Sequence, residues 1–171
     1  MSHKHQKTAG KSSLLNKETR ARIDHWSAKF PPDQKRSAII QALTAAQDQN
    51  GGYLNEDMMD AVADYLAVPP VWAYEVASFY SMFSLQPVGR HKVNICTNIS
   101  CMLRGSEEIV TVAEQALGIK LGETTADGRV SLIVEEECLA GCCGAPMMVV
   151  DGHYHENLTP ESVTEILDGL D

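Results

Sequence analysis

All five cysteines of this 171-residue chain lie in two short stretches, CTNISCMLRG (Cys96 to Gly105) and CLAGCCGAP (Cys138 to Pro146). The spacing is Cys96-x4-Cys101, then 36 residues, then Cys138-x3-Cys142, with Cys143 directly after it. An odd number of thiols cannot pair completely. The N-terminus has no apolar segment of the secretory kind, and the longest uncharged runs, such as Val76 to Gly89, are too short and too polar to span a bilayer. The expectation is therefore a cytosolic chain, whose thiols stay reduced and whose clustered cysteines serve metal or redox chemistry rather than disulfides. The net charge of −9 and the pI near 5.1 exclude the basic face that a nucleic-acid binder needs, and offer nothing to anionic lipid.

The stretch Met1 to Arg22 is locally basic, with six Lys or Arg against one Glu, and its first 15 residues read as a flexible tail. Residues 16–86 read as a small helical bundle. A first helix runs from Asn16 to Lys29 and stops at Pro31-Pro32. Asp33 can cap a second, whose face is Ile39, Ile40, Leu43 and Ala46. Asn55 caps a third, with Met59, Val62, Ala63 and Leu66 inward. Pro69-Pro70 opens a fourth, running to Phe83.

Residues 87–171 change character. KVNIC is a short strand ending on Cys96. Ser106 can cap a helix facing inward through Ile109, Val112, Ala113, Ala116 and Leu117, and Gly118 ends it. VSLIVEEE is a strand running into Cys138. MMVV, the turn Asp151-Gly152 and HYHE form a hairpin, and Thr159-Pro160 opens a final helix. The order β-α-β-β-β-α contains a β-α-β crossover, which implies a parallel pair. Both cysteine loops follow strands of that pair, so they emerge at one edge of the sheet and can build one four-sulfur site.

Four thiolates can hold one zinc ion tetrahedrally or a [2Fe–2S] cluster with two per iron. The looser x4 and x3 loops suit the wider cluster, whereas zinc knuckles more often use x2. There is no Cys-x-x-Cys for thioredoxin-type exchange, no Cys-x-His for a Rieske centre, and no plant-type ferredoxin order. Gly141 and Gly144 can let backbone amides approach sulfur, and the helix near Ser106 can turn its positive end toward Cys101.

With these residues assembled, the chain resembles a known family. The run SFYSMF followed by PVGRH, the Cys-x4-Cys loop, CLAGC followed by APMM, and the closing LTPE helix are similar to the roughly 24 kDa [2Fe–2S] subunit of NADH:quinone oxidoreductase, respiratory complex I, over about Arg20 to Leu170. The same module resembles small subunits of NAD-linked hydrogenases and formate dehydrogenases. The resemblance implies an α+β chain: an N-terminal helical bundle, then a thioredoxin-like α/β ferredoxin domain. It implies a [2Fe–2S] cluster on Cys96, Cys101, Cys138 and Cys142; Cys143 departs from the family as an extra thiol, a spare near the site that could substitute as fourth ligand. It also implies one-electron transfer to and from the FMN of an NADH-binding flavoprotein partner, which carries a [4Fe–4S] cluster as well. Other peripheral-arm subunits would be further partners, on the cytoplasmic face of a bacterial inner membrane. In that reading the chain has no catalytic residue of its own. It agrees with the lack of a G-x-G-x-x-G fingerprint after any strand. A competing reading is a zinc-stapled interaction module.

Other signals carry less. His153 and His155 alternate along a hairpin strand and read as exposed polar residues. AGKSS at Ala9 to Ser13 lacks the earlier glycine of a phosphate loop. Met147 and Met148 read as apolar strand residues. Phe79, Tyr80 and Phe83 read as packing between the two domains, and Trp26 and Trp72 as core or subunit interface. Glu135, Glu136 and Glu137 run directly into Cys138, and their charge should lower the cluster's potential. Replacing all three with glutamine is expected to raise the midpoint in an EPR-monitored titration; an unchanged midpoint would make them a solvated edge.

Overall fold

The computed structural model describes residues 10–133 and 138–171. The chain divides into two compact units, one up to Pro87 and one from Val88.

The first unit is built from four helices of ten or eleven residues: α1 Lys17–Ser27, α2 Ile39–Gln49, α3 Glu56–Leu66 and α4 Pro70–Phe79. Asparagine side chains start two of them. Asn16 Oδ1 accepts from the Thr19 amide at 2.8 Å, and Asn55 Oδ1 from the Met58 amide at 2.9 Å, satisfying donors that have no partner within the helix. Asp33 does not cap α2. A 3-10 turn, Lys35–Ala38, leads into that helix, and no side-chain cap is present. Pro70 opens α4, but the helix ends at Phe79, short of the expected Phe83. There the Ser78 hydroxyl turns back to the Tyr74 carbonyl at 2.8 Å, and Tyr80 is extended.

Ile23, Leu43, Leu54, Val62 and Leu66 fill the centre, among alanines 42, 45, 46, 61, 63 and 73 that are almost wholly enclosed. Burying each of the large side chains contributes about 1.5–3 kcal/mol, and the alanines let the helices approach closely. Phe83 joins this core, Tyr80 packs against it, and Phe79 is exposed. Trp26 and Trp72 lie at its edge under cations, with Lys29 Nζ 3.6 Å and Arg36 Cζ 4.3 Å from the ring centroids.

Part of the expected basic tail is folded. Lys11–Leu14 is a 3-10 turn, and Leu15 is buried. Lys11 Nζ reaches both Asp57 and Asp60 at 2.8 Å, and Gln49 bonds the backbone on both sides of Leu15. This segment has no apolar periodicity, so its attachment through single polar contacts was not readable from its own residues.

The second unit is a four-stranded sheet in the order β2-β1-β3-β4, with β1 His91–Ile95, β2 Val130–Ile133, β3 Met148–Val150 and β4 His153–His155. β1 and β2 are parallel, with His91 opposite Val130 and Asn94 opposite Ile133. β3 runs antiparallel to both β1 and β4. Residues 134–137, expected to extend β2, lie outside the described residues. Between β1 and β2 come a five-residue helix that the sequence did not suggest, α5 Ile99–Leu103, and then α6 Ser106–Leu117. Ser106 is the first residue of α6 rather than its cap: Gly105, at φ 91°, takes the cap position, and the buried Ser106 Oγ has no hydrogen-bond partner. The last helix, α7 Pro160–Asp168, begins with a reciprocal Thr159–Ser162 capping box. Ile109 and Ala113 of α6 and Val163 and Leu167 of α7 close over Val93, Ile95, Val130, Leu132, Met148 and Val150 of the sheet.

The hairpin turn Asp151-Gly152 has both residues at positive φ, 49° and 84°. Asp151 also accepts from the Lys92 amide at 2.8 Å and meets His91 Nδ1 at 2.7 Å. The Asp151 bond, with the Asp171 carbonyl on Nε2, holds His91 above its ordinary pKa despite partial burial. A raised folded pKa stabilises fully below the unfolded value of about 6.5 and is lost as pH rises through the folded value. His91→Gln should therefore lower the urea midpoint most near pH 6, with the deficit shrinking on the alkaline side. A pH-independent deficit would contradict this origin.

Candidate metal centre

Cys96 follows β1 directly, and its amide donates to the Met147 carbonyl at 3.1 Å, which ties the end of the strand to the start of the hairpin. Asn98 caps α5 through its side chain at 2.7 Å from the Ile99 amide, and α5 carries Cys101 inward. Cys96 and Cys101 are almost fully enclosed, beside Ala145 and Met147, with Leu139 and Val149 packed against them. Cys138, Cys142 and Cys143 lie in the second loop and are exposed.

The structure brings four of the five thiols together. Cys96 interacts with Cys101 and with Cys138, and Cys138 Sγ is 3.5 Å from Cys142 Sγ. Cys101 in turn feels Cys142 as well as Cys96, so the four sulfurs form one cluster. Four thiols gathered from two loops supply the ligands that a two-iron group needs, two per iron. Cys143 takes no part in these sulfur contacts.

Backbone amides also point at the sulfurs. Those of Leu139 and Asn98 serve Cys96, that of Met147 serves Cys101, and that of Ala140 meets Cys138 Sγ at 3.3 Å. Gly141 and Gly144, in the loop whose amides approach sulfur, are also required sterically. A Cβ on Gly141 would lie 2.8 Å from Met147 Cε, and one on Gly144 would lie 2.5 Å from the Glu156 carboxyl group. They make room for side chains under the loop, while their neighbours supply the amides. Met147, read as a strand residue, sits just before β3 against the buried sulfurs, and Met148 lies in the sheet core. His153 is exposed and His155 partly so, both on the hairpin. Glu135, Glu136 and Glu137 lie outside the described residues.

Crowding shapes the titration of the metal-free thiols. Burial pushes Cys101 up to about 11, and the neighbouring Cys96 adds to the rise. Burial also raises Cys96, but the Leu139 and Asn98 amides and the thiols of Cys101 and Cys138 outweigh it, so its pKa falls below the ordinary value. The Ala140 amide lowers Cys138, but Cys142 and burial carry it upward on balance. One thiolate is welcome at this site; several need positive charge from outside the chain.

The model of the thioredoxin-like [2Fe-2S] ferredoxin family matches residues 23–171, and the chain belongs to that family, whose cofactor is a [2Fe–2S] cluster. Among its relatives, the E chain of the NADH-quinone oxidoreductase of Rickettsia bellii is 47% identical over 142 residues, 83% of this chain and 84% of that protein. NADH dehydrogenase [ubiquinone] flavoprotein 2, mitochondrial, of Dictyostelium discoideum is 43% identical over 156 residues, 91% of this chain and 63% of that protein. The crystal structure of an NAD+-reducing [NiFe]-hydrogenase in the air-oxidised state aligns with a TM-score of 0.61 at 20% identity, over 74% of this chain and 22% of that one, a likeness of fold alone.

Two features of the site were not anticipated from sequence: the short helix that carries Cys101, and Tyr154, whose hydroxyl donates to the Leu139 carbonyl at 2.8 Å. The period-2 pattern of HYH placed Tyr154 opposite the histidines, but nothing in it disclosed a target 15 residues upstream.

Exposure sets the expected chemistry of the metal-free chain. Brief treatment with iodoacetamide should label Cys138, Cys142 and Cys143 well before Cys96 and Cys101, with Cys101 slowest because it is both enclosed and protonated. Peptide mass spectrometry reads the order. Early labelling of Cys101 would contradict the burial of the first pair.

Proposed function

We propose that this chain is the one-electron carrier subunit of an NADH–quinone oxidoreductase, and that Cys96, Cys101, Cys138 and Cys142 hold its [2Fe–2S] cluster. The observation that carries the assignment is the meeting of these four sulfurs, from two loops at one sheet edge, in a chain of this family. Cys96 with Cys101 would take one iron and Cys138 with Cys142 the other. When bound, the cluster supplies reversible uptake of one electron.

The chain's own residues do the rest. The amides of Leu139, Asn98, Met147 and Ala140 face the sulfurs and offset negative charge without solvent reorganisation. Ala145, Met147 and Val149 keep water from the buried pair. Cys138 and Cys142 face outward and mark the edge through which an electron enters and leaves. No residue is assigned as acid, base or nucleophile, and NADH oxidation belongs to a flavoprotein partner carrying FMN. The helical unit and the second unit are then a partner-facing bundle and the cluster domain. None of the described helices is long and apolar enough to cross a membrane, so the chain would join its complex peripherally.

Serine variants test the ligand set. After anaerobic loading, Cys96→Ser, Cys101→Ser, Cys138→Ser and Cys142→Ser should each lose most of the visible absorption, the acid-labile sulfide and the EPR signal after dithionite. Cys143→Ser should keep all three. Loss in Cys143→Ser with retention in Cys142→Ser would move the fourth ligand by one residue.

A further inference from the structure

We propose that Tyr154 is a positioning residue for the cluster. It polarises the peptide group joining Leu139 to Ala140, strengthens the N–H···S bond to Cys138, and so raises the reduction potential. The inference rests on the ligand assignment above.

Tyr154 is the middle residue of β4, so its side chain leaves the sheet on the face opposite His153 and His155. It pairs with Val149, which pairs in turn with Asn94. Directly opposed residues share a face, and Val149 packs against the group containing Cys96, Cys101 and Met147. Tyr154 therefore stands on the cysteine side of the sheet, with its ring beside Gly141, where a Cβ would come within 3.5 Å of Cδ1.

The ring is more than half exposed, yet its hydroxyl is committed to one protein acceptor, the Leu139 carbonyl at 2.8 Å. That carbonyl and the Ala140 N–H belong to the same peptide group, and the N–H donates to Cys138 Sγ at 3.3 Å. A donor on the oxygen of an amide draws density from its nitrogen and makes the N–H a stronger donor. The chain from Tyr154 Oη through Leu139 and Ala140 to Cys138 Sγ is thus one cooperative line. The preceding peptide is aligned by the same loop, since the Leu139 N–H serves the Cys96 sulfur. One carbonyl contact therefore fixes the stretch whose amides serve one sulfur of each proposed pair.

The backbone shows that this orientation is held from outside. Ala140 has φ 62°, a region that a residue with a Cβ rarely adopts and keeps only where its surroundings impose it. Around the loop, Tyr154 holds the Leu139 carbonyl, and the Asn157 amide holds the Gly144 carbonyl at 2.6 Å. Both contacts come from β4 and the residues just after it, so the hairpin edge clamps the second cysteine loop. A reduced cluster carries one more negative charge, so donors to its sulfurs favour the reduced form.

The test is a redox titration of the full-length loaded chain by EPR. Tyr154→Phe keeps the ring and removes the donor. At a fixed poise near the wild-type midpoint, its reduced-to-oxidised ratio should fall by up to about twofold, as expected when one modest hydrogen bond to sulfur loses its cooperative strengthening, and its g-values should shift. Placing 3-fluorotyrosine at position 154 alone, a stronger donor of nearly the same shape, should raise the ratio. An unchanged ratio and unchanged g-values in Tyr154→Phe would overturn the proposal, even if the variant melts earlier. If Tyr154→Phe takes up no cluster, the fluorotyrosine protein decides: a raised ratio supports the polarised line, an unchanged one overturns it. If the wild-type chain itself gives no S = 1/2 signal, the ligand assignment fails, a separate result.

Discussion

The site depends on the parallel pairing of β1 with β2. Parallel strands end at the same edge of a sheet, so cysteine loops 36 residues apart in the chain can meet at one place. The crossover that makes the pairing possible, α6 packed beside α7 over the sheet, is held chiefly by apolar burial, with Arg129 donating to the Leu167 and Leu170 carbonyls at the end of α7. Its stability comes from residues that never touch a sulfur. A shift of β2 by one residue against β1 would turn every inward side chain outward, so Val130 and Leu132 lock the register that brings the cysteine loops to one edge.

Crowding thiols is costly, and backbone amides offset part of that cost. Four amides point at three of the sulfurs. Amides are fixed dipoles that carry no counter-charge to be expelled, which suits a centre whose charge changes by one unit. The burial is unequal. Cys96 and Cys101 sit under Met147 and Ala145, while Cys138 and Cys142 face outward. In the proposed function this asymmetry gives the cluster an insulated side and a contact side within a few residues.

Much of this was legible in the sequence because the governing signals are local. Asn16, Asn55, Pro70 and Thr159 mark helix starts by their own chemistry, and Asp151-Gly152 marks the hairpin turn. The alternation of KVNI and the β-α-β order placed the cysteine loops at one edge. The misses arose where tertiary contacts outweigh propensity. The helix that carries Cys101 is five residues long and capped by Asn98, too short for periodicity to register. Ser106 looks like a cap, but Gly105 can take the left-handed conformation that the turn needs. Gly141 and Gly144 also leave room for Met147 and Glu156 beneath them, which no local pattern foretells. Tyr154 is the same kind of case, a residue whose importance lies in a carbonyl far from it in sequence.

Mössbauer spectroscopy of the full chain loaded with iron-57 decides whether the two cysteine loops together hold a two-iron centre. Two iron sites in equal amount are expected, both with tetrahedral sulfur coordination and coupled to a diamagnetic ground state when oxidised. A single magnetically isolated iron, or iron bound mainly through nitrogen or oxygen, would contradict it.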